Sequence, residues 1–313
     1  MHRRPTLALL VLALALTGGS AAVVPAGAEA ATSTTTSSNW AGYAVTRSGS
    51  RFHKVTGNWI VPAVTCTSGQ RTYSASWIGL GGYATNSQAL EQTGTESDCD
   101  ASGTAHYSAW YELVPDTSHS VQLGVRAGDA MTATVTVTGT TVRLRLIDRT
   151  RGTSVTKVLK AQVVDTSSAE WIVETPALCS SATVSDLGCS STALANFGTT
   201  GFTTARATTM GGHTGTISDA NFKATSITLS PAGRRRFAGA QAPTDATAGS
   251  ATPGALSATG GGFQIAYAQP TATTDPSGGT TPVTPPATAP AAVPRLRPLQ
   301  RLLSPRAPGA AAR

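Results

Sequence analysis

The sequence predicts an all-β protein, and three observations carry that expectation. Short runs of alternating or β-branched residues recur across 39–268. Gly, Ser, Asn, Asp and Thr separate them, and stretches of helical periodicity are few. About 230 residues suffice for one large sandwich or barrel, and no internal repeat or second domain interrupts the pattern.

Residues 1–30 stand outside this domain. Arg3 and Arg4 precede an apolar run over 7–16, and small residues close the segment at Ala28-Glu29-Ala30. That is the pattern of a secretory signal cut after Ala30. Its apolar run is too short to span a bilayer, and no later stretch approaches the roughly 18 apolar residues a membrane helix needs. The remaining chain is expected to be exported, extracellular and monomeric, with no membrane attachment once the signal is removed.

Alternation assigns faces to the strands in turn. Across Ala75–Gly81 it places Ala75, Trp77, Gly79 and Gly81 on one side and Ser76, Ile78 and Leu80 on the other. Glycines beside a Trp leave room for a bound chain. Around Trp110, the residues Tyr107, Ala109, Tyr111 and Leu113 read as core, whereas Ser108, Trp110 and Glu112 combine an aromatic surface with a carboxylate and suit a groove. The stretches 130–137 and 141–147 follow as strands. In 169–174, Glu170, Ile172 and Glu174 share a face opposite Trp171 and Val173. Two carboxylates on one face are expected to meet solvent or a polar cleft, and parity does not choose between them. Thr175-Pro176 places Glu174 near its strand's end, because a Pro donates no ladder hydrogen bond. A further strand is expected over 226–230, an exposed loop containing Arg234-Arg235-Arg236 over 233–262, and a last strand at Phe263–Ala268. The segment 269–313 is rich in Pro, Thr and Ala and has no aromatic residue, so it is expected to be disordered.

The formal net charge of +7 does not indicate nucleic-acid binding. Arg3 and Arg4 lie in the signal, and Arg295, Arg297, Arg301, Arg306 and Arg313 lie in the last twenty residues. Setting these aside with Glu29 and Asp275 leaves 16 basic and 14 acidic residues in 31–268. Such a body has no electrostatic footprint for nucleic acid. Only 12% of the chain is charged, which limits self-repulsion when carboxylates are protonated and suits work in acid.

Cys66, Cys99, Cys179 and Cys189 form an even set in an exported chain, so two disulfides are expected. Cys179–Cys189 would close a small loop, and Cys66–Cys99 would tie together the segments flanking Trp77 and Gln92; spacing leaves the alternative pairings open. No zinc spacing, serine elbow, phosphate loop or pepsin-type Asp-Thr/Ser-Gly occurs, and no metal or other cofactor is expected. His53, His106, His119 and His213 stand in no recognisable context.

Six segments nevertheless form an ordered set: Ser38-Asn39-Trp40-Ala41-Gly42, Gly57-Asn58-Trp59-Ile60-Val61-Pro62, Trp77-Ile78-Gly79-Leu80-Gly81-Gly82, Gln92-Thr93-Gly94, Ala109-Trp110-Tyr111-Glu112 and Ala169-Glu170-Trp171-Ile172-Val173-Glu174. In content and order they resemble the secreted glutamic peptidases of the eqolisin family. The resemblance implies a lectin-like sandwich of two curved antiparallel sheets over 31–268, with a concave substrate groove. It implies Gln92 and Glu174 as the catalytic pair, and Trp40, Trp77, Trp110, Glu112 and Glu96 as groove residues. Glu174 would activate water and Gln92 would hold the oxyanion during hydrolysis of polypeptides, with an optimum in acid and no metal. The chain departs from fungal members at Gly81, where those have Asp, and at Glu91, where they have Leu. The competing reading is a carbohydrate-binding sandwich, or a glycosidase using Glu112 and Glu174; the Gln-Thr-Gly motif has no evident place in it.

Overall fold

The computed structural model describes residues 32–179, 189–231 and 249–269. The expected signal (1–30), the Arg234-Arg235-Arg236 run and all but the first residue of the 269–313 segment lie outside these. Every regular element among the described residues is a β-strand. The first six are β1 (Ser33–Ser37), β2 (Trp40–Thr46), β3 (Phe52–Ile60), β4 (Ala75–Gly81), β5 (Leu90–Cys99) and β6 (Ala105–Val114). Then come β7 (His119–Ser120), β8 (Ala130–Thr138), β9 (Thr141–Asp148), β10 (Thr153–Lys160), β11 (Ser168–Glu174) and β12 (Ala177–Cys179). The last are β13 (Cys189–Ser191), β14 (Thr199–Thr209), β15 (Thr214–Thr216), β16 (Lys223–Leu229), β17 (Ser250–Pro253) and β18 (Phe263–Ala268).

The two layers of the sandwich are halves of one ladder bent double. Its hydrogen-bonded order is β10-β9-β8-β3-β14-β18-β17-β16-β2-β11-β4-β5-β6-β7. β3 and β8 on one half pack against β4, β5 and β11 on the other. Neighbours along the path are antiparallel, and β1 adds a parallel strand to β16.

Sequence pattern dictates which strands sit where. On β8 the buried Met131, Ala133, Val135 and Val137 alternate with partly exposed Thr132, Thr134 and Thr136, the signature of a strand with one wet face. β9 repeats it, with Val142, Leu144 and Leu146 inward and Arg143 and Arg145 outward. β2, β4 and β11 are instead buried on both faces. One face joins the intersheet core through Tyr43, Ile78, Leu80 and Trp171. The other belongs to a second apolar cluster, which includes Trp40, Trp77, Trp110, Ile172 and Ile227. Trp171 alone, fully buried with its indole N–H donating to the Thr56 carbonyl at 2.8 Å, contributes on the order of 5 kcal/mol of apolar transfer free energy.

Cys66 and Cys99 form a disulfide with Cα atoms 5.4 Å apart, the pairing anticipated from their places in the chain. It anchors the loop after β3 to the end of β5, and closing such a loop is worth about 3–4 kcal/mol. β12 pairs with β13 so that Cys179 stands opposite Cys189; the side chains of this expected second bridge lie outside the described residues. In the stretch expected to be a loop, Ser250–Pro253 forms β17 and bridges β16 to β18. Four small residues give no periodic signal. Only the backbone ladder and the full burial of Ala251 make them a strand.

Candidate active site

β4 lies between β11 and β5, with β6 beyond. Their shared outer face carries Glu174 from β11, Trp77 from β4, Gln92, Glu96 and Asp98 from β5, and Glu112 from β6. Register aligns them: Gln92 is opposite Glu112, Gly94 opposite Trp110, and Ala75 stands between Glu174 and Glu96. Ala109, Tyr111 and Leu113 pack into the intersheet core instead, as the alternation on β6 requires.

Two sequence-based expectations about this face are corrected. The glycines do not hold space for a bound chain. A Cβ on Gly79 would lie 2.9 Å from Leu90 and 3.1 Å from Trp77, and one on Gly94 would lie 2.6 Å from the Trp77 Cβ. The protein's own atoms, chiefly the Leu90 and Trp77 side chains, occupy that room. Glu170, expected to meet solvent or a cleft, is completely buried. Glu174 on the same face is only partly buried, as the last residue of the strand.

The tryptophans pack together beneath this face. Trp40 and Trp77 are fully buried and Trp110 is 5% exposed; the rings of Trp40 and Trp77 meet edge to face, 4.9 Å between centroids. Their polar handles reach the reactive edge. The Trp77 indole N–H donates to Glu174 Oε2 at 2.8 Å, and the Trp40 side chain also stabilises the Glu174 carboxylate. Asn39 Nδ2 donates to Glu174 Oε1 at 3.1 Å. The Ser37 hydroxyl donates to Asn39 Oδ1 at 2.9 Å, which fixes the amide so that its nitrogen faces the carboxylate.

Burial nevertheless pushes the Glu174 carboxyl up to about 7, against the pull of these donors. Glu112 rises further, to about 8: burial is the main cause, the charge of Glu174 adds to it, and one hydrogen bond from Gln92 opposes it. Gln92 Nε2 donates to Glu112 Oε2 at 2.6 Å. An amide nitrogen has two N–H donors, so one remains free for a ligand.

Farther along β5, the Ser108 hydroxyl donates to Glu96 Oε2 at 2.6 Å, and burial raises the Glu96 pKa. Asp98 accepts from the Ser74 backbone N–H at 3.1 Å and is lifted to about 8 by burial and then by Glu96. The structure thus brings Gln92, Glu174, Trp40, Trp77, Trp110, Glu112 and Glu96 to one face. It adds two residues that had been given no role. Asn39 was visible only as part of a motif, whereas Asp98 continues the alternation Gln92, Gly94, Glu96.

Comparison with known proteins finds relatives of this chain in sequence and in fold. Aspergillopepsin-2 of Aspergillus niger is 33% identical over 207 residues, covering 59% of this chain and 68% of that protein. Two structures of scytalido-glutamic peptidase share the fold. One, with a transition state analog inhibitor, has a TM-score of 0.53 at 24% identity; the other, with a peptide based transition state analog, has 0.50 at 26%. Each match covers 74% of this chain and 98% of the other. The profile of the Peptidase A4 family matches residues 38–234. With that span, the chain belongs to the Peptidase A4 (eqolisin) family and is a glutamic-type endopeptidase.

Proposed function

We propose that the protein is an exported endopeptidase with Glu174 as general base and Gln92 as oxyanion donor. The observation that carries the reading is the Glu174 carboxylate, set at the mouth of the groove with Asn39, Trp77 and Trp40 as donors. Gln92 stands on the far side of β4 with an N–H to spare. Ionised Glu174 takes a proton from a water molecule, whose oxygen bonds to the scissile carbonyl carbon. Gln92 donates to the oxyanion that forms. The tetrahedral adduct collapses as Glu174 returns its proton to the departing nitrogen, and the C–N bond breaks.

Charge balance assigns the roles. Glu112 must be neutral during turnover, since a second carboxylate beside Gln92 would repel the oxyanion. The charge of one carboxyl raises the pKa of the other, so the pair passes through a singly ionised state, which supplies both a base and an uncharged neighbour. Glu174 needs to be ionised, so turnover falls in strong acid. The buried position of Glu174 moves this limb toward neutrality from the ordinary carboxylate range of about 4. Export is supported by the Cys66–Cys99 disulfide, which requires an oxidising compartment.

Denatured casein incubated with the purified protein from acid to neutral pH, with a pepstatin control, tests the reading. Pepstatin-insensitive cleavage that disappears in Glu174→Gln supports it. Absence of cleavage throughout, alongside glycan binding or hydrolysis, overturns it.

A further inference from the structure

The near balance of 16 basic and 14 acidic residues in 31–268 conceals a separation of charge. Carboxyls gather on the outer face of β11, β4, β5 and β6, whereas the other layer carries cations. The outer face of β14, β3, β8, β9 and β10 points away from Glu174, because β3 and β8 pack inward against β4, β5 and β11. Register sets its side chains in rows. Arg206, Thr56, Thr134 and Arg145 stand side by side across four strands, and Lys54, Thr136 and Arg143 form the next row. At a strand spacing of about 4.8 Å, the cations within a row lie roughly 10–14 Å apart.

Arg206, Arg145, Arg143 and Lys54 are exposed, and none of them makes an ion pair among the described residues. No carboxylate opposes them. Asp148, the one acidic residue in these five strands, is buried and is held together with Asp129 by Arg151, at 3.5 and 3.1 Å.

A third row, Thr203, Asn58 and Thr132, runs into a cleft of about 730 Å³ at the end of the face. Arg149 and Gln264 complete its polar wall, and the exposed Ile60 gives an apolar one. Thr132 Oγ1 accepts from Arg149 Nε at 3.2 Å, which holds the guanidinium at the cleft and leaves its terminal nitrogens for a ligand.

Unpaired cations in rows attract a chain of negative charges, and guanidinium groups fork carboxylates and similar oxyanions. Amides and hydroxyls both donate and accept, as sugar hydroxyls require. The face has no exposed aromatic ring on which nucleobases could stack. We propose that this face and its cleft bind an acidic polysaccharide, a linear polymer bearing carboxylate or sulfate groups. The cleft takes one stretch of the polymer and the Arg/Lys rows take the next. Anchored in this way, the protein keeps the Glu174 face turned outward. The binding does not depend on the peptidase reading.

The test measures binding of labelled oligogalacturonate and of a heparin fragment to the full chain and to three variants. The face variant carries Lys54→Thr, Arg143→Thr, Arg145→Thr and Arg206→Thr, which suit strands. The cleft variant carries Arg149→Ser and Gln264→Ala. The control variant removes cations elsewhere, by Arg234→Ser, Arg235→Ser, Arg236→Ser, Arg295→Ser, Arg297→Ser, Arg301→Ser, Arg306→Ser and Arg313→Ser. The control is expected to bind at least one saccharide within about threefold of the wild type. The face variant should lose about 30-fold or more, with the slope of log Kd against log salt reduced by about 2–3. The cleft variant should lose about tenfold for the saccharide but little for inorganic polyphosphate. In the face variant, kcat and KM for an uncharged peptide should be unchanged. Binding of neither saccharide, loss confined to the control variant, or unchanged affinity in the face or cleft variant overturns the proposal. So does tighter binding of the control variant to duplex DNA or anionic vesicles than to either saccharide. Competition by the uncharged peptide also overturns it, by placing the saccharide at Glu174. The expected binding in a protein that cleaves no peptide would sustain the surface and overturn the peptidase reading alone.

Discussion

Glu174 and Glu170 lie on one face of β11, and Gln92 and Glu91 are neighbours on β5, yet the two regions they form behave differently. In the groove, Glu174 accepts from Asn39 and Trp77 at 3.1 and 2.8 Å, and Glu112 and Glu96 accept from Gln92 and Ser108. By contrast, Glu91 and Glu170 are completely buried, and none of their carboxyl oxygens makes a well-formed hydrogen bond. The Asp165 backbone N–H and the Ser168 side chain only soften the cost. Burial lifts Glu91 to about 8 and Glu170 well above the usual range, with the charge of Asp165 contributing to both. The two kinds of carboxyl differ in donors and access, not in residue type or strand.

The largest effect expected from this contrast is on turnover. Glu174→Gln should lower kcat about 10³-fold, within the range that general-base removal costs. Glu170→Gln, on the same face but without access, should leave kcat within about threefold of wild type. Circular dichroism of both variants should match the parent. Comparable losses in the two would erase the distinction between the regions.

The next effect is on stability. A carboxyl whose folded pKa is raised favours folding only while protonated. The stability associated with Glu91 is therefore complete below the unfolded value of about 4.3 and is lost as pH rises through its folded value. Since Glu91 titrates at about 8, several kcal/mol should disappear between mild acid and weak alkali. Glu91→Leu removes the ionisable group from a site that excludes water. Its melting temperature should fall less steeply than that of the wild type between about pH 4 and 8, the remaining slope coming from Glu170, Glu112, Glu174 and Asp98, which burial also raises. Parallel curves would mean that Glu91 reaches solvent or a partner when ionised.

This region also shows how far the sequence could be read. Strand parity separated Trp77 from Ile78 and Trp110 from Tyr111 correctly, because period two needs only local pattern. It failed for Glu170, since its burial depends on β2 and β4 covering both flanks of β11, a long-range fact. It could not choose Glu174 over Glu170; the ordered family motifs made that choice. Likewise, Ser37 fixing the Asn39 amide and the bending of one ladder into two layers arise from pairings between distant segments. No window of adjacent residues contains them.

The smallest effect tests whether donors, rather than position alone, set the working pH of Glu174. Asn39 donates to one carboxyl oxygen and Trp77 to the other, and both lower a pKa that burial raises. Removing the amide in Asn39→Ala takes a hydrogen bond from the ionised form only, so the pKa should rise and the acid limb of the kcat profile should move toward higher pH. A displacement of roughly half to one pH unit is expected for one such bond at a partly buried carboxylate. The plateau rate above the limb should change little, because the proton acceptor is still present. Asn39→Asp should displace the limb farther in the same direction, by placing a second negative charge beside Glu174. If the limb stays fixed in both variants while the plateau falls, Asn39 positions substrate or strand, and the ionisation of Glu174 is governed by burial and the indole donors alone.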